Sequence, residues 1–89
     1  MDEIGLKSLR SFREILHAGS ITAAARELGL SQPAVSRLLA KLERSIGFQL
    51  FHRDRGRLLP TPEALIFMEQ VDNALGAVDR VGDMARNIS

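Results

Sequence analysis

The stretch LGLSQPAVSRLLAKLE, Leu28–Glu43, decides how the rest of the chain is read. Gly29 interrupts an apolar periodicity, and Ser31 offers a side-chain oxygen to the free amides of a new helix. Pro33 falls in the first turn of that helix, where no N–H has an intrahelical partner. The helix is expected to run to about Ile46, with Gly47 ending it. At about 100° per residue, Val35, Leu38, Leu39, Leu42 and Ile46 share one side, while Pro33, Ser36, Arg37, Ala40, Lys41 and Arg44 fall opposite. Gln32 is exposed in the first turn, and Glu43 stands at the flank. The outer face therefore carries no carboxylate, whereas ordinary surface helices mix both signs. Small residues let the backbone approach a large anion closely, and Gln and Arg present hydrogen-bond donors in fixed geometry.

Upstream of this stretch, Ser20 is placed to cap a short helix on which Ile21, Ala24, Ala25 and Leu28 recur at i, i+3, i+4 and i+7. A first helix carries Leu9, Phe12, Ile15 and Leu16 on one side and ends near HAGS, at Gly19. From Ile21 through Ala24, Ala25, Leu28, Gly29, Leu30, Val35 and Leu38 the spacing resembles a helix-turn-helix. There a small residue lets the helices cross closely, glycine makes the turn, and the second helix enters the major groove. A helical hairpin packed for structural reasons alone shares parts of this pattern but not the basic outer face.

Downstream, GFQLFHRDRGRLLPTPEA (47–64) reads first as a hairpin. Leu50, Phe51 and Leu58, Leu59 form two short strands joined through Asp54, Arg55, Gly56 and Arg57, with Gly56 available for a positive φ. Beside a helix-turn-helix such a hairpin is a wing, and Arg53, Arg55 and Arg57 can reach phosphate or a narrow A·T-rich minor groove. A turn kept soluble by its charge is the plainer alternative. Thr61 as N-cap, Pro62 at the first helical position and Glu63 in the first turn then start a long helix. Along it Phe67, Val71, Ala74, Val78, Val81, Ala85 and Ile88 recur at spacings of four and three, with Met68, Leu75 and Met84 widening the seam. About 25 residues of helix span about 37 Å, longer than the small body covers alone. The seam lies against a second copy, against the chain's own core, or against a further domain. Dimerisation is the expected outcome, with Leu75 included in the interface. It sets two recognition helices on one duplex and calls for an interrupted inverted repeat. Glu69, Asp72, Asp79 and Asp83 on the outer positions keep this helix off DNA.

Composition narrows the function. Eighty-nine residues, 45% of them apolar, build one small core. The absence of cysteine removes disulfides, thiolate metal sites and thiol nucleophiles. No apolar run approaches the roughly 18 residues of a membrane span, and MDEIGLKSLR lacks the basic-then-apolar layout of a signal peptide. A soluble cytoplasmic protein that does not engage membranes is expected. The net charge of +1 averages two unlike parts: residues 1–60 hold ten Lys or Arg against six Asp or Glu, and residues 61–89 hold two against five. Between Arg37 and Arg57 six basic residues face only Glu43 and Asp54. His17 and His52 have no carboxylate–histidine cluster around them, so no metal site and no cofactor is expected. An enzyme is the weakest reading, because no nucleophile, base and orienting group stand at supportive spacing. A winged-helix scaffold for protein contacts and a sequence-blind architectural DNA binder stay open as alternatives.

These residues together resemble the amino-terminal region of the LysR-type transcriptional regulators. AGSITAAARELGLSQPAVSRLLAKLERSIGFQLFHR (18–53) follows the pattern Ser-x-Thr-x-Ala-Ala, Ser-Gln-Pro-Ala-Val-Ser, Leu-Glu and Gly-x-x-Leu-Phe-x-Arg, and LPTPEA (59–64) resembles a Leu-Thr-x-Ala-Gly element. The chain departs at Ala64, where glycine is usual, and at Pro60 before the threonine. The resemblance implies a mainly α fold. A winged helix-turn-helix over residues 1–60 has a three-helix core and a short β-hairpin wing, with the helix-turn-helix at about 21–40 and the wing at about 50–60. A linker helix over 61–89 pairs in homodimers. A separate effector-binding domain for a small molecule is absent from these residues, so the chain is expected to be the DNA-binding part of a longer protein. By position, Gln32, Pro33, Ser36 and Arg37 would face base edges, with Pro33 and Ala34 against a thymine methyl. Thr22, Ser31, Lys41 and Thr61 would hold phosphate, and Arg53, Arg55 and Arg57 would serve the wing.

Overall fold

In the computed structural model, side-chain caps start three of the helices and left-handed glycines end three. The structure describes residues 3–88, so the outermost limits expected for the two domains, residues 1–2 and 89, lie outside the described residues. Helix α1 covers Leu6–Ala18, α2 Ile21–Leu28 and α3 Gln32–Ile46. The Ser20 hydroxyl accepts from the Ala23 amide at 3.1 Å, and the Ser31 hydroxyl accepts from Ala34 at 3.2 Å, so both expected caps form. Between α2 and α3 the chain turns at Gly29, φ 68, a conformation in which a Cβ would crowd the following carbonyl. The Leu30 amide then returns to the Ala25 carbonyl at 2.9 Å, closing the end of α2.

A two-stranded antiparallel sheet follows, β1 over Phe51–Asp54 and β2 over Arg57–Pro60. Its register pairs Phe51 with Pro60 and Asp54 with Arg57. The hairpin is tighter than the sequence reading: Asp54 and Arg57 belong to the strands, and only Arg55 and Gly56 form the loop. Leu50 lies before β1, fully buried. Its amide donates to Glu43 Oε2 at 2.7 Å, which ties the wing to the last turn of α3.

Helix α4, Pro62–Ile88, is started by Thr61. The Thr61 oxygen accepts from the Ala64 amide at 3.1 Å, and its hydroxyl donates to the Gln49 carbonyl at 2.8 Å. Ala64 is fully buried, so the small residue that stands in place of glycine fits against the body.

One core joins all four helices and the hairpin. Phe12 and Ile15 of α1, Ala24 and Ala25 of α2, Val35, Leu39 and Leu42 of α3, Leu50, Phe51, and Met68, Val71 and Leu75 of α4 are among its buried members. Phe12 sits 5.7 Å, ring centre to ring centre, from both Phe51 and Phe67, and Phe67 meets Phe48 edge-on at 5.8 Å. Val71 and Leu75, expected at a dimer seam, are instead 2% and 0% exposed inside this chain's own core. The reason is proximity: α1 runs beside the first half of α4 and covers those positions. The second half of α4 carries Val81, Met84 and Ile88 exposed, and the molecule measures 49 Å along its longest axis against 27 and 20 Å across. Leu38 also differs from expectation, being half-exposed rather than buried on the inner face of α3.

Candidate nucleic-acid interface

The outer face of α3 is as exposed as its residue pattern requires. Gln32, Pro33, Ser36, Arg37, Lys41 and Arg44 are exposed and Ala34 is half-buried, while Val35, Leu39 and Leu42 anchor the opposite face in the core. That anchoring gives the outward side chains a rigid platform.

On one flank of α3 lies a depression of about 410 Å³ between the helix-turn-helix and the wing. Thr22, Gln32 and Ser36 line one wall, and Arg53, Gly56, Arg57 and Leu58 line the other, with Gly19, Ser20 and Ile21 at the start of α2. None of the lining residues is acidic. The fold thus brings together five of the twelve side chains singled out for DNA, from positions 35 residues apart in sequence between Thr22 and Arg57. Along the first wall the Gln32 amide Nε2 donates to Thr22 Oγ1 at 2.6 Å. Arg55 projects from the hairpin tip beyond the depression and is exposed.

A second depression, of about 300 Å³, lies on the other flank, lined by Lys7, Leu30, Ala34, Arg37, Leu38 and Lys41. Lys7 of α1 was not singled out from the sequence; a lone lysine in a first turn carries no motif, and only the crossing of α1 over α3 brings it beside Arg37 and Lys41. Ser31 caps α3 by accepting a hydrogen bond, which leaves its own O–H to donate outward. Thr61 is different. Its single hydroxyl proton goes to the Gln49 carbonyl, so the geometry makes it the cap of α4 rather than a phosphate donor.

Glu43 stands at the flank of the basic face, and one of its carboxylate oxygens accepts from the Leu50 amide. Two acidic side chains of α4 engage elsewhere: Asp79 faces Arg10 of α1 at 3.8 Å, and Asp83 pairs with Arg86. Among the described residues no cluster of three or more His, Cys, Asp or Glu could hold a metal ion, and no helix is long and apolar enough to cross a membrane.

A three-helix core, a two-stranded hairpin beside its third helix and a long C-terminal helix define a winged helix-turn-helix with an appended helix. The family described as bacterial regulatory helix-turn-helix protein, lysR family, matches residues 6–65, and the chain belongs to that family. It is 41% identical over 88 residues to the transcriptional activator protein LysR of Escherichia coli (strain K12), covering 99% of this chain and 28% of that protein. The octopine catabolism/uptake operon regulatory protein OccR of Rhizobium meliloti is 36% identical over 85 residues, 96% of this chain and 29% of OccR. The chain therefore spans less than a third of the length of these relatives. Among solved structures, that of the BenM_DBD/catB site 1 DNA complex superposes with a TM-score of 0.86 at 33% identity, covering 94% of each chain. The CbnR_DBD–DNA complex gives 0.84 at 30%, covering 94% of this chain and 97% of that one.

Proposed function

We propose that this chain is the DNA-binding part of a bacterial LysR-type transcriptional regulator and reads double-stranded DNA without catalysing a reaction. Residues 1–60 act as the DNA-binding domain and 61–89 as its linker helix. The helix α3 lies in the major groove and the β1–β2 wing lies over the adjacent minor groove. One observation carries the reading. Gln32, Ser36, Arg53 and Arg57 converge on a single acid-free depression beside an exposed basic helix face. The family membership and the likeness to DNA-bound domains of other regulators support it.

In this reading Gln32, Ser36 and Arg37 meet base edges, and Pro33 and Ala34 meet a thymine methyl. Thr22, Ser31 and Lys41 hold phosphate, while Arg53, Arg55 and Arg57 serve the wing. Two copies pair through the stripe of α4 made by exposed Ala74, Val81, Ala85 and Ile88 with half-buried Val78, and with Phe67 at its edge. The operator is then an interrupted inverted repeat. A small effector is bound by another domain of the full-length regulator, and the protein works in the cytoplasm.

Selection of bound duplexes from a random pool tests the proposal, followed by titration of variants on the selected and scrambled sequences. Arg37→Ala and Gln32→Ala are expected to lose about 1–3 kcal/mol on the selected duplex and to relax preference at particular base pairs. Lys41→Ala is expected to weaken all sequences alike and to reduce the salt slope by about 1. Equal losses on both duplexes for all three variants would contradict the assignment.

A further inference from the structure

The contact between Gln32 and Thr22 joins two residues whose expected roles are separate, one reading a base and the other holding the backbone. Gln32 is the first residue of α3, and Thr22 lies in the first turn of α2. Both side chains are exposed, and both line the depression shared with Arg53 and Arg57. An exposed glutamine with no tether samples many rotamers and either face of its amide. Here one of its two Nε2 N–H groups is committed to Thr22 Oγ1 at 2.6 Å. What remains free is Oε1 and the second N–H, an acceptor beside a donor.

The direction of this hydrogen bond has a consequence for DNA. A hydroxyl that accepts from the amide keeps its own proton, and a phosphate oxygen can only accept. With a phosphate at Thr22 the chain of donors runs one way, from amide to hydroxyl to phosphate. A flipped amide would put Oε1 against the threonine, take the hydroxyl proton, and leave oxygen lone pairs facing the anion. Backbone contact at Thr22 therefore selects one orientation of the Gln32 amide.

We propose that Thr22 is a positioning residue for base reading: its hydroxyl links a DNA phosphate to the Gln32 amide and fixes that amide to present Oε1 and one N–H side by side to an adenine. The adenine amino group donates to Oε1, and its N7 accepts from Nε2, the pairing that a bidentate amide makes in the major groove. The inference rests on the DNA-binding reading above and adds a coupling between two contacts that the reading alone treats as independent.

The test uses Thr22→Val, which keeps the shape and removes the hydroxyl, Thr22→Ser, which restores it, Gln32→Ala, and the Thr22→Val/Gln32→Ala double variant. Each is titrated against the selected duplex with all four bases placed at the position where Gln32→Ala loses discrimination. Thr22→Val is expected to reduce the adenine preference at that position about tenfold, Thr22→Ser to keep it, and Thr22→Val to change it no further once Gln32 is alanine. If Thr22→Val weakens every sequence equally, with the adenine preference intact and its effect multiplying independently with that of Gln32→Ala, Thr22 is only a phosphate contact and the inference is overturned. An unsubstituted protein that binds no duplex at low salt overturns the DNA-binding reading itself, a result distinct from either pattern among the variants.

Discussion

Arg55 occupies the left-handed region at φ 54, beside Gly56 at φ 78. A two-residue hairpin loop with both central φ values positive is the arrangement that matches strand twist, and it favours Asn-Gly because an L side chain with a bulky Cβ substituent crowds the neighbouring carbonyl. Arginine is a costly residue there, and what it supplies is charge at the tip of the wing. Arg55→Asn is expected to stabilise the fold by about 1 kcal/mol, seen as a higher urea midpoint with unchanged slope. A lower midpoint would show that the turn carries no strain at that position. Glu43 illustrates the opposite relation between charge and role. Its carboxylate accepts the buried Leu50 amide at 2.7 Å, and an unpaired buried N–H would cost roughly 1–3 kcal/mol. Its value is thus in holding the residue before β1 against α3.

Helix α4 changes its partner along its length. Ala64, Met68, Val71 and Leu75 face the body, whereas Val81, Met84 and Ile88 belong to a stripe displaced around the helix and exposed at 69%, 61% and 78%. The two halves should respond differently to substitution. Leu75→Ala opens a cavity in the core and is expected to cost about 2–5 kcal/mol of stability. Val81→Asp removes no buried contact; its thermal stability as an isolated protomer is expected to be preserved while the proposed dimer is lost in sedimentation. Equal sedimentation of Val81→Asp and the unsubstituted protein would exclude the stripe as the pairing surface. The same helix marks what the residue pattern could and could not disclose. Caps at Ser20, Ser31 and Thr61 and the stops at Gly19, Gly29 and Gly47 depend on neighbours within four residues, and these boundaries were readable directly. A seam at spacings of four and three is equally suited to a second copy and to the chain's own core, so the division between Leu75 and Val81 emerged only when α1 was seen beside α4. Contacts between elements share that difficulty: the Thr22–Gln32 bond, the Thr61–Gln49 bond and the approach of Lys7 to Arg37 leave no periodic trace.

At the scale of the whole molecule, opposite charges are segregated along the chain. Residues 1–60 carry the basic excess, concentrated on α3 and the wing, whereas the acidic excess of residues 61–89 sits in the first half of α4 as Glu63, Glu69 and Asp72; in the second half Asp79 and Asp83 are balanced by Arg80 and Arg86. An anionic duplex is attracted to the basic residues and repelled by those three carboxylates, a difference that favours approach by α3 and the wing. If two bodies are held by paired α4 helices, the distance and rotation between their recognition helices are set by the protein, and DNA must present its half-sites to match. Adding about 5 base pairs between the half-sites rotates one of them by roughly half a turn of B-DNA, away from its α3; adding about 10 returns it to the same face at a greater distance. The half-turn insertion is therefore expected to reduce affinity to that of a single half-site, and the full-turn insertion to recover part of it at the cost of bending the duplex. Val81→Asp, binding as separate protomers, is expected to be indifferent to both insertions. Anisotropy titrations of the two proteins on the three duplexes measure this directly, and an unsubstituted protein equally indifferent to spacing would show that the bodies bind without a rigid pairing helix between them.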